Sequence, residues 1–183
     1  MTREEALDLL TRHIKSDSLI KHMLGVEAAM RAYARRFGED EEKWGIAGLL
    51  HDVDYEEAPE AAKHSLRSAE IAAEAGLDED VVYAIKAHND AHGLPRHDRL
   101  SKALFAVDEL VGFIVAVSLV RPSKRIADVK VKSVTKKMKD RSFAASVNRD
   151  ELLKGALELD IDFPEHVGTV LDAMKAAAGD LGL

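Results

Sequence analysis

Cysteine is absent from the 183 residues, so neither a disulfide framework nor a thiolate metal site can exist. Any metal must sit on His, Asp or Glu. Long apolar runs are also missing. Residues 103–120 come nearest, but Asp108 and Glu109 interrupt them and leave 11 uncharged residues, Leu110 to Val120. A bilayer span needs about 20, so this stretch reads as a buried helix and the membrane is excluded as a partner. The opening MTREEALDLLTRH has no apolar signal core, which argues against secretion and for a cytoplasmic location. Alternating strand patterns are nearly absent; only DVKVKSV at 128–134 could be extended, and a helix accounts for it as well. What is abundant is histidine: eight in all, five of them between His51 and His97. With 46% hydrophobic and 32% charged residues, the chain has the composition of a globular protein, and its length suits one domain spanning 1–183.

The net charge of −7 hides a split. Residues 121–141 carry nine Lys/Arg against two acids, for +7, whereas residues 1–120 carry −9 and residues 142–183 carry −5. Such a segment could attract phosphate or could be a solvated helix face. One nearby aromatic, Phe143, and an acidic remainder speak against nucleic acid as a partner.

The dominant period is helical. Thr2 and Glu5 form a capping box before Ala6, Leu7, Leu10 and Ile14. Asp17 or Ser18 can cap a second helix that ends near Gly38, and a third covers roughly Glu41 to His51. Pro59 suits the first turn of a fourth, continuing to Ala75 and closed by Gly76. Asp78 caps a fifth, residues 90–99 form a loop, and a long apolar helix follows from Leu100 to Val120. Asn148 with Glu151 caps another, and Pro164 starts the last. The expected fold is an all-α helical bundle.

On these helices His22, His51-Asp52, His64, His88 and Asp108 fall beside or within apolar faces. An ionisable group there must be paired, metal-bound or neutralised. A divalent cation would meet several of these demands together, and imidazole with carboxylate suits Mn, Fe, Co, Ni or Zn. The alternative is that each histidine is an ordinary core residue. His13 and His166 read as surface residues, and Trp44 and Phe105 as core.

In order and context, His22, His51-Asp52 and Asp108 resemble the H…HD…D signature of the HD superfamily of metal-dependent phosphohydrolases. His64 and His88 match the two extra histidines of its two-metal members. The resemblance covers an HD core of about residues 18–120, leaves a helical C-terminal extension at 121–183, and looks most like small bacterial HD hydrolases. It implies one or two divalent metal ions, Mg included. His22, His51, Asp52 and Asp108 would hold one, and Asp52 would bridge to a second completed by His64 and His88. Asp52 and Asp108 would be the catalytic carboxylates, and a metal-activated water would attack the phosphorus of a small phosphorylated substrate, a nucleotide by preference. The common HDIGK form is here His51-Asp52-Val53-Asp54-Tyr55, without the lysine, which keeps open a nucleotide-binding regulatory module without turnover. The GYP motif of cyclic-dinucleotide phosphodiesterases is missing.

Around this set, Arg67 at i+3 from His64 is the preferred phosphate contact, since Lys21 points about 100° from His22 on a helix. His92 and His97 could protonate a leaving group, Asp54 and Tyr55 could contact water or substrate, and Asn89 could support His88. The apolar helix leaves a homo-oligomer open.

Overall fold

The computed structural model describes residues 1–60 and 62–183. Among them are ten α-helices, two 3-10 turns and no strand. The apolar stretch forms α6 (Arg99–Leu119), capped by Asp98, whose carboxylate accepts from the Ser101 N–H. Its buried side chains run round nearly the whole circumference, because neighbours cover it on several sides. These are α2 (Asp17–Phe37), α5 (Glu79–Ala87), α8 (Arg149–Glu158) and α9 (Phe163–Ala176). Beyond them, α1 (Arg3–His13) and α2 pack on α3 (Glu41–Leu50), and α4 (Leu66–Glu74) packs on α5. The short α7 (Val131–Lys137) and α10 (Ala178–Leu181) lie against α9. Among the described residues, no helix is long and apolar enough to cross a membrane.

Local signals place most helix ends. The Thr2–Glu5 capping box is present, Gly38 closes α2 in the left-handed region, and the Asn148 side chain accepts from the Asp150 and Glu151 N–H groups. Residue 128–134 chemistry resolves as a 3-10 turn leading into α7. The start of α2 differs by one or two residues: its cap is Ser16, and Glu56 from across the fold accepts the Lys15 and Ser16 N–H groups.

Of the expected helix from Pro59 to Ala75, in which residue 61 lies outside the described residues, the described part is helical from Leu66 to Glu74. Ser65 sits at φ +70, so the chain turns there and α4 begins at Leu66. The start is fixed from a distance. Asp54 accepts from the Ser68 N–H at 3.0 Å, and the Ser68 hydroxyl accepts from the Asp54 N–H at 3.0 Å. This is a capping box closed across 14 residues, invisible to local pattern.

His166, read as a surface residue, is fully buried. Its Nε2–H donates to the Ala106 carbonyl at 2.9 Å, and its Nδ1 accepts from the Tyr33 hydroxyl at 2.5 Å. The chain α2–α9–α6 is thus joined by one neutral imidazole. Close by, α8 meets α6 backbone to backbone: a Cβ on Gly155 would lie 2.6 Å from the Ala106 Cα. Burial pushes the His166 imidazole down to about 4, so the unfolded chain takes up its proton first as pH falls. The stability this residue provides is complete above about pH 6.5 and is lost towards pH 4, up to about 3 kcal/mol. Urea unfolding at intervals across that window checks it. The curve for His166→Gln, whose amide can make both hydrogen bonds, should be flatter there than wild type; parallel curves would remove the assignment.

Candidate metal centre

The centre is assembled from four elements meeting under one opening. His22 comes from the first third of α2, His51 and Asp52 from the end of α3, His88 from the end of α5, and Asp108 from the middle of α6. His64 sits just before the turn at Ser65. Their donor atoms form two groups, each drawn together within 4.8 Å: His22, His51, Asp52 and Asp108, and then Asp52, His64 and His88. Asp52 belongs to both.

Three of the imidazoles are oriented the same way. Nδ1 of His51 donates to the Gly48 carbonyl at 2.8 Å, and Nδ1 of His88 donates to the Ile85 carbonyl at 2.6 Å. Nδ1 of His64 lies 2.9 Å from Asp54 Oδ1. A proton held on Nδ1 leaves Nε2 with its lone pair in the neutral ring. These Nε2 atoms converge on one oxygen, Asp52 Oδ1, from His51 at 3.3 Å, His64 at 3.1 Å and His88 at 3.2 Å. Lone pairs facing an anionic oxygen repel unless positive charge stands between them. Asp52 Oδ1 and His88 Nε2 are buried and make no hydrogen bond. That pair of orphaned buried atoms, with the His and Asp donors around it, fits a divalent ion.

The same demand appears in the proton affinities. Burial works against a charged His51, but Asp52 and Asp108 outweigh it and push the ring up to about 9. Burial likewise opposes His64, and Asp52 with Asp54 pushes it up to about 10. Asp52 and Asp108 resist burial and stay well below the usual carboxylate range because imidazoles surround them. On the outer side, His22 Nε2 contacts Asp108 Oδ1 at 2.9 Å.

Above these atoms lies a cavity of about 680 Å³, lined by the donors His22, Asp52, His64, His88 and Asp108. Tyr55, 40% exposed, stands edge-on to His64 at 5.1 Å between ring centroids and lines it too. Asp54 does not reach the opening; it is fully buried, holding His64 and the start of α4. Asn89 lines the cavity and donates to the His64 carbonyl at 3.1 Å.

Two expected substrate contacts lie elsewhere. Arg67 does not line the cavity; its guanidinium pairs with Glu70 and Glu74 along the outside of α4. The i+3 relation to His64 required an unbroken helix, and the positive φ of Ser65 removes it. His92 does not line the cavity either: its Nε2 lies 2.8 Å from the His64 carbonyl and 3.1 Å from the Ser65 hydroxyl, bracing the turn beneath the donors. His97 is exposed, away from the cavity lining.

Pattern reading missed Phe105, Glu109, Gly112 and Glu151, all of which line the cavity. Glu109 carried a signal, a second charge in an apolar run; burial and then Asp108 push its carboxyl up to about 7. Glu151 shows that α8 reaches the opening. No lysine or arginine lines the cavity among the described residues, so none of the basic residues of 121–141 faces it.

The sequence model of the family described as HD domain matches residues 19–111. Ribonuclease Y of Nitratidesulfovibrio vulgaris is 36% identical over 102 residues, 53% of this chain and 18% of that protein. Ribonuclease Y of Oleidesulfovibrio alaskensis is 31% identical over the same length, and that of Lawsonia intracellularis is 32% identical over 84 residues, 44% of this chain and 16% of that protein. The chain therefore spans less than a fifth of the length of these curated relatives. No solved structure matches it.

Proposed function

The chain belongs to the HD-domain family of metal-dependent phosphohydrolases, and we propose from that premise that it hydrolyses a phosphoester or phosphoanhydride of a small metabolite, a nucleotide by preference. The observation that carries the reading is the meeting of three Nε2 atoms on Asp52 Oδ1, with His22 and Asp108 completing a second donor group. His22, His51, Asp52 and Asp108 would hold one divalent ion, and Asp52, His64 and His88 a second. Bound there, such ions supply an activated water and neutralise charge on the phosphoryl oxygens. The chain's own residues orient the donors: the Gly48 and Ile85 carbonyls fix two rings, and Asp54 fixes a third. Residues 1–183 work as one unit in this reading, since Glu151 of the extension lines the same opening as the HD core.

Among the described residues no lysine or arginine lines this acidic cavity. With the imidazoles neutral on bound metal, the strongest positive charge that the substrate's phosphate meets would be the metal. Chelation should therefore weaken a non-hydrolysable phosphonate at least ~10-fold and abolish turnover, whereas an intact phosphonate affinity in metal-free protein would refute that dependence.

A second reading, an RNA strand as substrate, draws on the likeness to ribonuclease Y and on the basic residues of 121–141. One experiment separates them: metal content after loading with Mn, Fe or Zn, then a panel of nucleotides, dinucleoside polyphosphates and an oligoribonucleotide. Turnover of the small substrates alone supports the first reading, and cleavage of the oligomer alone supports the second. Protein that takes up no metal and turns over nothing loses both. Tight nucleotide binding with no product after long incubation would leave a regulatory module.

A further inference from the structure

The space over the metal donors does not end at His22. A second hollow of about 310 Å³ opens beside it between α2, α6 and α10, and His22 and Gly112 line both. Its walls are apolar, made by Val115, Leu119, Leu181 and Leu183, with Lys21 at the rim. Lys21 is held there by Asp17 at 2.7 Å. Leu119 is half exposed on this wall, apolar surface left open to solvent.

Gly112 is the point where the two hollows join. It lies one turn beyond Asp108 in the interior of α6, where glycine costs about 1 kcal/mol of helix stability relative to alanine. Four other helical glycines, Gly25, Gly45, Gly48 and Gly155, have a packing reason, whereas Gly168 and Gly179 have room for a Cβ and line neither hollow. A Cβ at Gly25 would lie 2.8 Å from Val111 Cγ1, and one at Gly155 would strike the Ala106 backbone. A Cβ at Gly112 meets nothing within 4 Å. Packing therefore does not require the glycine, and the side chain it lacks would project into shared open space.

We infer that the two hollows form one substrate site continuous over Gly112. The phosphoryl group sits at the metal donors, and a hydrophobic leaving group of aromatic-ring size occupies the pocket of Val115, Leu119, Leu181 and Leu183. Gly112 is the specificity-determining position because it keeps the passage open. The inference rests on the phosphohydrolase reading above and names the kind of ester that the site takes.

The test uses two non-hydrolysable probes, methylphosphonate and naphthylmethylphosphonate, titrated calorimetrically into the full-length, metal-loaded protein. The naphthyl probe should bind at least ~10-fold more tightly, since it buries a bicyclic apolar surface. In Gly112→Phe the ratio of the two affinities should collapse towards one, with metal content measured alongside. Leu119→Glu, a change at a half-exposed position, should lower the ratio in the same direction and carries the test if Gly112→Phe does not fold. A wild-type ratio near one, or a ratio undiminished in the folded variants, would overturn the inference while leaving the phosphohydrolase reading intact. Failure of both probes to bind the metal-loaded wild type would remove the two together.

Discussion

Asp52→Asn should empty both donor groups and lower phosphoester turnover by roughly 10³-fold, the scale seen when one strongly placed electrostatic group is removed from a reacting centre. The change is nearly isosteric, so the fold should survive it. What disappears is the negative charge on which the His51, His64 and His88 Nε2 atoms converge. An amide at this position can offer only a neutral oxygen or an N–H that faces three imidazoles. Because Asp52 belongs to both groups, elemental analysis should find neither ion retained. His88→Gln is the informative contrast. It touches only the group of Asp52, His64 and His88, so it should lose at most one ion of two. Full metal content in Asp52→Asn, or equal losses in the two variants, would contradict the shared-carboxylate arrangement.

Arg96→Ala should be the most destabilising of the polar substitutions, by about 3 kcal/mol, the typical cost of removing one partner from a buried ion pair. For a chain of this size that is a fall in Tm of roughly 10 °C. The Arg96 side chain is only 4% exposed and touches four elements. It contacts Asp90 Oδ1 at 2.8 Å and meets Glu158 with two parallel N–H···O contacts at 2.8 Å, and it donates to the Ala87 carbonyl at 2.9 Å. Its guanidinium lies 3.6 Å above the Phe105 ring. Truncation leaves Asp90 and Glu158 with Lys154 as their shared cation, and both Asp90 and Phe105 line the cavity over the donors. Arg96→Lys should recover only part of the loss, because an ammonium cannot reproduce the fork or the stacking. Denaturant unfolding of the three proteins measures this, and a loss below about 1 kcal/mol for Arg96→Ala would reduce the cluster to an ordinary surface pair.

Arg96 also marks the limit of what the sequence discloses. In DAHGLPRHDR it reads as one more charged loop residue, since its partners come from the turn at 90–92 and from α8, 62 residues away. Helix starts and stops were legible at the local caps Thr2, Gly38 and Asn148. They were not legible where the cap is tertiary, as with Asp54 and Ser68. The six proposed ligands stood out because an ionisable residue on an apolar face demands a partner, and the resemblance to the HD family assigned them to two ions; their donor atoms lie in two groups that share Asp52. Arg67 was misplaced because face arithmetic presumes a continuous helix. His166 was misjudged because its partners, Tyr33 and Ala106, lie 133 and 60 residues away.

Ala106 is held on two sides by segments outside the stretch that matches the HD family. Gly155 presses on its backbone, and His166 takes its carbonyl, two residues before Asp108. The C-terminal third therefore acts as an index pin for α6, setting the rotation and height at which Asp108 is presented. A shift of α8 or α9 by a fraction of an ångström would be transmitted to the donor set without any change in the residues that compose it. Substitutions at positions 155 and 166 should thus change how Asp108 is presented, although both lie far in sequence from every proposed ligand.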